Sequence, residues 1–307
     1  MASAVVFAYH DVGCRCLGVL LDERIEVPLL ITHRDRPDER IWFASVAELG
    51  RARSIETLVP DDPNAPEIAG KIRDLRPDFL FSFYYRLMLG APLLAIPRRG
   101  AFNMHGSLLP KYRGRAPVNW AIIHGEAETG ATLHEMVEKP DAGRIVDQEA
   151  VAILADEPAV DVFAKVTGAA ERVLRRSLPK LIDGSAVLRA QDLSRGGYFG
   201  GRRPEDGRID WSAPAKRVHD LVRAVAPPYP GAFTEVEGTR LRVLRTRRRA
   251  DKGAARAAAF LYAEDSRCYA ACADGEVLEL LDLELDGRRL SAQEFANRIG
   301  DRRIPLH

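Results

Sequence analysis

No apolar run in the 307 residues reaches the ~18 that a membrane-spanning helix requires. The apolar stretch 4–8 is too short for a signal peptide and lacks its basic flank. We therefore expect no membrane insertion and a cytoplasmic location. An excess of one charge is also missing: 45 Lys and Arg face 44 Asp and Glu, a net of +1. No global field draws the chain to nucleic acid or to a membrane surface. Cysteine is scarce. Cys14, Cys16, Cys268 and Cys272 form neither a disulfide framework nor a zinc pattern, and read as small buried residues in a reducing compartment. Gly-x-Gly-x-x-Gly after the first strand, a Walker loop and Gly-x-Ser-x-Gly are all absent, and Ser107 lacks a strand-to-helix elbow. His134-Glu135 lacks the second histidine of a zincin, so no metal site is expected.

What is present suits two folded domains: the length allows two cores, and 46% apolar with 29% charged residues is ordinary for a globular chain. Apolar runs at Ala4–Ala8, Ile25–Thr32, Ile55–Val59 and Asp78–Tyr84 read as strands. Helical spacing at Cys14–Leu21, Trp42–Arg53 and Pro66–Leu75 separates them, with Tyr9–Gly13 a turn. Strands alternating with helices predict an α/β fold around a doubly wound, mostly parallel sheet. A long amphipathic helix is predicted over Val160–Ile182, ended by Asp183-Gly184. A linker rich in Gly and Arg follows over Asp192–Asp206. Beyond it, a helix at Val218–Val225 and closely spaced short strands predict a small β-barrel, with a helix capped by Ser291 near the end. We expect a catalytic domain over residues 1–195 and a barrel domain over 196–307.

The stretch from Gly100 to Pro117 organises the rest. It opens as a buried strand in which Asn103 and His105, two apart, project from one face. Gly106 ends the strand and a basic loop punctuated by Pro and Gly follows. An imidazole titrates near neutrality, a carboxylate beside it raises its pKa and fixes its tautomer, and an amide donates to a developing oxyanion. Asp141 is the candidate carboxylate, although an aspartate in Pro-Asp-Ala-Gly also serves a turn. With no nucleophile evident, direct transfer of an acyl group to an amine is the economical chemistry. Residues 240–256 hold eight basic residues and one acid, which fits either RNA phosphates or an exposed strand face.

Asn103-x-His105 followed by Gly-Ser-Leu-Leu-Pro-Lys-Tyr-Arg-Gly114, with Asp141-Ala-Gly143 downstream, resembles the 10-formyltetrahydrofolate-dependent formyltransferases. Phe7-Ala-Tyr-His-Asp11, Phe81–Arg86, Gly125-Glu126, Glu128-Thr-Gly130 and Pro230-Gly-Ala232 extend the likeness over residues 4–245. It is greatest to the formyltransferase half of bifunctional polymyxin-resistance enzymes, which formylate UDP-4-amino-4-deoxy-L-arabinose for lipid A modification. The resemblance implies a Rossmann-like domain followed by a small OB-like barrel, 10-formyltetrahydrofolate as co-substrate and a UDP-amino sugar as acceptor. It implies acid–base work for His105, oxyanion stabilisation by Asn103, and Asp141 holding His105. It places the folate against Leu87, Met88 and Leu89, against Arg115, and along Val137, Glu138, Lys139, Pro140 and Asp141. His10, Arg202 and Arg203 are candidate ligands of the sugar nucleotide.

Two departures stand out. The NAD-dependent decarboxylase half is not found in these residues, so that activity is expected to be absent or in a separate partner protein. Cys14-Arg-Cys16 reads as a lengthened first turn. Methionyl-tRNA formyltransferase is the main alternative, with formyl-folate hydrolysis and a ligand-binding sensor behind it. Oligomeric state is not legible.

Overall fold

The computed structural model describes residues 2–37, 39–253 and 258–307, without the Lys252 side chain, so Arg256 of the basic stretch lies outside it. The chain divides into two units. The first contains residues up to Pro117, Glu128–Val151 and Ala164–Gly200. The second contains Val118–Ala127, Ala152–Phe163 and Gly201–His307.

In chain order the elements up to residue 199 are β1 (Ser3–Ala8), α1 (His10–Asp22), β2 (Glu26–Ile31), α2 (Val46–Ala52), β3 (Thr57–Leu58), α3 (Pro66–Leu75), β4 (Phe79–Phe83), α4 (Ala91–Leu94), β5 (Gly100–His105), β6 (Arg113–Gly114), α5 (Pro117–Ile123), β7 (Glu128–Glu135), β8 (Ile145–Ala152), α6 (Ala159–Asp183) and β9 (Tyr198–Phe199). The main sheet has the order β3-β2-β1-β4-β5-β7-β8. Neighbours from β3 to β5 are parallel, and β7 runs antiparallel to β5. This is the expected Rossmann-like sheet. Its order reverses between β1 and β4, and ligands of such sheets bind beyond the carboxyl ends of strands at that reversal.

Sequence accounts for most of these elements. β1 and β4 are apolar on both faces because helices cover both sides of a parallel sheet. In α3, Pro66 takes the first turn, where its missing N–H costs nothing, and Ile68, Ala69 and Ile72 face inward. They meet Val5, Phe7, Leu29, Ile31 and Leu80 in one core cluster. The predicted stripe of α6, from Val162 to Leu181, is buried.

Three local readings are corrected. Tyr9–Gly13 is not a turn: α1 begins at His10, directly after β1, and contains Cys14 and Cys16, so no turn is lengthened there. Gly13 allows this, because a Cβ there would lie 3.0–3.3 Å from Val46 and Ala8. The helix expected from Trp42 starts only at Val46, where the Ser45 side chain caps it by accepting from Glu48 N–H. The predicted linker is not free chain, since β9 within it pairs in parallel with β6.

The second unit contains α7 (Ala215–Val225), β10 (Ala232–Val236), β11 (Thr239–Gly253), β12 (Phe260–Glu264), β13 (Arg267–Ala271), β14 (Glu276–Leu285), β15 (Arg288–Ser291), α8 (Ala292–Ile299) and β16 (Ile304–Pro305). Its strands form one curled antiparallel sheet, β10-β11-β14-β13-β12-β16, with β15 on β14. Ser291 caps α8 as expected, in a reciprocal box with Glu294. Hydrogen bonds explain why the two earlier segments group here. Asn119 Nδ2 donates to Ala224 O at 2.7 Å, and Arg223 Nη1 donates to Leu154 O at 3.1 Å and Glu157 O at 3.2 Å.

Truncating Ile72, fully buried in the first core, removes packing that the rigid sheet cannot replace. Ile72→Ala is expected to lower unfolding free energy by about 2–5 kcal/mol, measured by urea denaturation.

Candidate active site at the carboxyl end of β5

The register of β5 on β7 sets Asn103 opposite His134 and His105 opposite Thr132. Directly opposed residues of an antiparallel pair share a face, so the amide and both imidazoles project together. Asp141 arrives from the turn that follows β7, in a left-handed conformation (φ 52°) that an aspartate tolerates. The turn is tight: a Cβ on Gly143 would lie 1.9 Å from the Glu135 carbonyl oxygen.

The Asp141 carboxylate is the meeting point. Its Oδ2 accepts from the backbone N–H of Gly114 at 2.8 Å. Its Oδ1 lies 3.4 Å from His134 Nε2, 3.6 Å from His105 Nδ1 and 3.5 Å from Asn103 Nδ2. Carbonyl contacts indicate the tautomers. His134 Nδ1 is 2.8 Å from Glu135 O and so carries a hydrogen, leaving Nε2 to accept from Asn103 Nδ2 at 3.1 Å. His105 Nε2 is 2.8 Å from Tyr112 O and donates to it, leaving Nδ1 as the basic nitrogen of the neutral ring, turned toward Asp141.

Burial pushes the His105 pKa below its ordinary value, and Asp141 only partly offsets this. The carboxylate does raise the imidazole's pKa, as expected, but desolvation outweighs the ion pair at this depth and the net shift is downward. For Asp141, burial alone would raise the carboxyl pKa. A proton on His105 would add an opposed charge, and together with the contacts of His134 and the Gly114 N–H this outweighs burial and holds it low. The cluster therefore pairs a resting neutral base with a fixed carboxylate. A proton taken up at Nδ1 is met by that negative charge. One amide N–H is committed to His134, and the other makes only the long contact to Asp141.

The residues expected against a folate lie on nearby segments. Leu87, Met88 and Val137 are 42%, 57% and 40% exposed, unusual for apolar side chains. Leu89 and Met136 sit in the first core, anchoring both segments. Asn64 braces the first of them, donating to Met88 O at 2.9 Å and accepting from Gly90 N–H at 2.7 Å. Arg115, Glu138 and Lys139 are exposed and Pro140 is half-buried.

His10 is not in the carboxylate cluster. It is buried at the start of α1, its ring stacked on Phe43 with centroids 3.8 Å apart and meeting Trp42 at 4.7 Å. Tyr84 neighbours both places: its ring lies 6.3 Å from that of His10, and a Cβ on Gly106 would come 1.9 Å from its hydroxyl. Arg202 and Arg203 belong to the second unit. The Arg202 guanidinium lies 4.7 Å from the centre of the Trp120 ring and donates to Asp206 O at 2.7 Å. Arg203 uses its backbone N–H on the Asp206 carboxylate at 2.6 Å.

Sequence reasoning missed His134 as a member of the site, having weighed it only as a metal ligand. It also missed the Gly114 N–H and Gln191, which holds the Asp141 turn. The register of β5 on β7 would have revealed His134, but nothing in the sequence announces that these strands are neighbours.

A Rossmann-like sheet with an amide, two imidazoles and a carboxylate gathered at one strand end has the groups for acid–base chemistry and oxyanion stabilisation. Comparison with known proteins agrees with this class. The model of the formyl transferase family matches residues 23–178, and that of the formyl transferase C-terminal domain matches residues 202–300. The chain belongs to the formyl transferase family. Among solved structures it is similar to an N-formyltransferase from Helicobacter canadensis in complex with folinic acid and dTDP-3-aminofucose. That likeness has 16% identity and a TM-score of 0.74, and covers 94% of this chain and 100% of that one. It is similar to WlaRD, a sugar 3N-formyl transferase solved with dTDP and 5-N-formyl-THF, at 16% identity and TM-score 0.69, covering 94% and 98%. It is also similar to HypX from Aquifex aeolicus in complex with tetrahydrofolic acid, at 18% identity and TM-score 0.61, covering 97% of this chain and 46% of that one. At these identities the likenesses establish a shared fold.

Burial, with the nearby Arg86 charge, lowers the pKa of His10 from 6.5 to about 3 and that of His33 from 6.5 to about 4. Between these values and 6.5 the unfolded chain binds more protons than the folded one, so stability rises with pH. This contribution is complete above 6.5 and is lost as pH falls through the window. Urea midpoints should therefore drop steadily from pH 7 to pH 4.

Proposed function

We propose that the enzyme transfers a formyl group from 10-formyltetrahydrofolate to the amino group of a nucleotide-linked amino sugar. The observation that carries this reading is the convergence of Asn103 and His105, two apart on β5, on the carboxylate of Asp141 from a later turn. The acceptor amine attacks the formyl carbon, forming the new N–C bond and a tetrahedral oxyanion. Asn103 Nδ2–H, its orientation set by His134, donates to that oxyanion. His105 takes a proton from the attacking amine, and Asp141 stabilises the imidazolium. Collapse of the intermediate breaks the N10–formyl bond, and the same proton goes to N10. Atoms and protons balance without a covalent enzyme intermediate. The exposed apolar side chains of Leu87, Met88 and Val137 offer the pteridine a surface to cover, and Arg115 offers a cation to the folate's carboxylates.

An amino sugar is favoured over charged tRNA by the pairing of the basic strand. Arginines of β11 meet acids of β14: Arg242 pairs with Glu284, Arg248 with Glu276 at 2.6 Å and Arg249 with Glu279 at 3.0 Å. Cations neutralised within the sheet release few counter-ions on phosphate binding. The sugar-nucleotide complexes of the similar enzymes support the same choice. Within this class we favour UDP-4-amino-4-deoxy-L-arabinose, on the resemblance of the Asn103–Gly114 and Asp141–Gly143 motifs to the enzymes that use it. A decarboxylating partner would then supply the acceptor.

The purified chain with 10-formyltetrahydrofolate should add one formyl group to a UDP- or dTDP-amino sugar and none to methionyl-tRNA, read by mass spectrometry. Turnover on the tRNA alone would reverse the assignment. Loss of one oxyanion donor typically costs about 10²–10³ in rate, so Asn103→Ala should be slowed by that amount in kcat. A rate near wild type would remove the amide from the reaction.

A further inference from the structure

We propose that Gln191 is a positioning residue for formyl transfer, a clamp that holds the turn carrying Asp141 so that its carboxylate faces His105. The inference rests on the function proposed above and adds to it a residue that neither motif contains. Gln191 Nε2 donates to two carbonyls of one turn, Asp141 O at 3.0 Å and Gly143 O at 2.6 Å. These carbonyls bracket the residue that the site depends on. Both amide hydrogens are thus spent on 141–143, while Oε1 is buried with no hydrogen-bond partner among the described residues. A residue present only to fill space would not bury an orphan acceptor, which is costly. Here that cost accompanies two hydrogen bonds placed on the backbone of the catalytic turn.

The segment bearing Gln191 also holds the other side of the carboxylate. Before Gln191, Arg189 and Ile145 exchange backbone hydrogen bonds of 2.7 and 2.8 Å just past the turn. After it, Arg113 N–H donates to Gly197 O at 3.0 Å and Arg115 N–H to Phe199 O at 2.9 Å. The buried Arg113 guanidinium makes long contacts of 3.3 Å to Gly196 O and 3.5 Å to Leu193 O. Between Arg113 and Arg115 lies Gly114, whose N–H binds Asp141 Oδ2. Gly196 packs so closely that a Cβ there would lie 1.9 Å from Pro110 O. One strap, residues 189–199, therefore fixes both the turn that presents the carboxylate and the loop that donates to it. Gln191 is its only side chain hydrogen-bonded to the Asp141–Gly143 turn among the described residues. His105 is faced by Asp141 from this turn, by His134 from β7 and by Tyr112 O from the loop, so loosening the turn changes one of three fixed neighbours.

The test is Gln191→Met in the full chain, which keeps length and removes both donors. Four quantities are read: melting temperature, kcat and KM with 10-formyltetrahydrofolate, and the titration of the His105 ring by nitrogen NMR, assigned by its loss in His105→Asn. A displacement of about 1 Å at a reacting centre costs on the order of 10²-fold. The expected result is a folded protein with kcat reduced about 100-fold, KM for the folate within about threefold, and His105 titrating lower because Asp141 supports its charge less. A folded variant with wild-type kcat overturns the proposal. So does a variant whose loss is confined to KM with His105 titrating as before. Should Gln191→Met not fold, Gln191→Asn, which keeps the amide but falls one methylene short, is read against the same outcomes. If the wild-type chain formylates no amino sugar, the function is wrong, and the His105 titration alone judges the clamp.

Discussion

The ionised carboxylate of Asp141 is only 14% exposed, and a charge taken that far from water is unfavourable by several kcal/mol unless its oxygens are held by donors or opposite charges. That requirement organises the first unit. One oxygen needs the Gly114 N–H, so the loop after β5 must return to a fixed place. The other faces Asn103, His105 and His134, so β5 and β7 must be neighbours in one register. A slip of one residue between them would put His134 on the opposite face of the sheet from Asn103 and His105. The close approaches at Gly143 and Gly196 follow from the same constraint, since the backbone must come near enough to hold the turn.

The sheet supplies the rigid frame for this. From β3 to β5 it is an ordinary parallel arrangement, buried on both faces, with the aromatic run Phe79, Phe81, Phe83 at its centre. The antiparallel β7 then brings a second strand's side chains to the end of β5, which a further crossover would not do as compactly. Around the reversal point, the rings of Tyr9, His10, Phe43 and Tyr84 pack together, and His33 joins Tyr85 to Tyr9. Arg86 lies over Tyr9 and is held by both oxygens of Glu39 at 2.6 Å. In this dense setting burial keeps the histidines neutral at physiological pH.

The second unit follows a different principle. Its net charge is balanced locally: β11 is lined with arginine and β14 with acids, and the antiparallel register sets them opposite one another. Its helix α7 is tied by polar groups, with His219 donating to Ala155 O at 3.0 Å and accepting from Thr246 at 2.8 Å, and Arg223 paired with Asp220 at 2.7 Å. Part of the basic stretch in the sequence is thus neutralised by paired acids in the fold. Sequence proximity alone could not show this, because the neutralising residues lie 28 to 42 positions away.

Sequence by itself determined the alternation of strands and helices, the buried stripe of α6, the cap at Ser291, and the identity of Asn103, His105 and Asp141 as the groups to watch. These are set by local periodicity, by turn chemistry and by residue types whose spacing carries meaning on a single element. The late start of α2 is set by the cap at Ser45, and the helical course of Tyr9–Gly13 was lost because packing against neighbours overrode the local pattern. Tertiary structure alone decided that Asp141 reaches His105, that His134 completes the group, and that Gln191 grips the turn. Each of these depends on which backbone segments lie side by side. The downward pKa of His105 was decided there too, because desolvation is a property of depth within the fold and no sequence spacing encodes it.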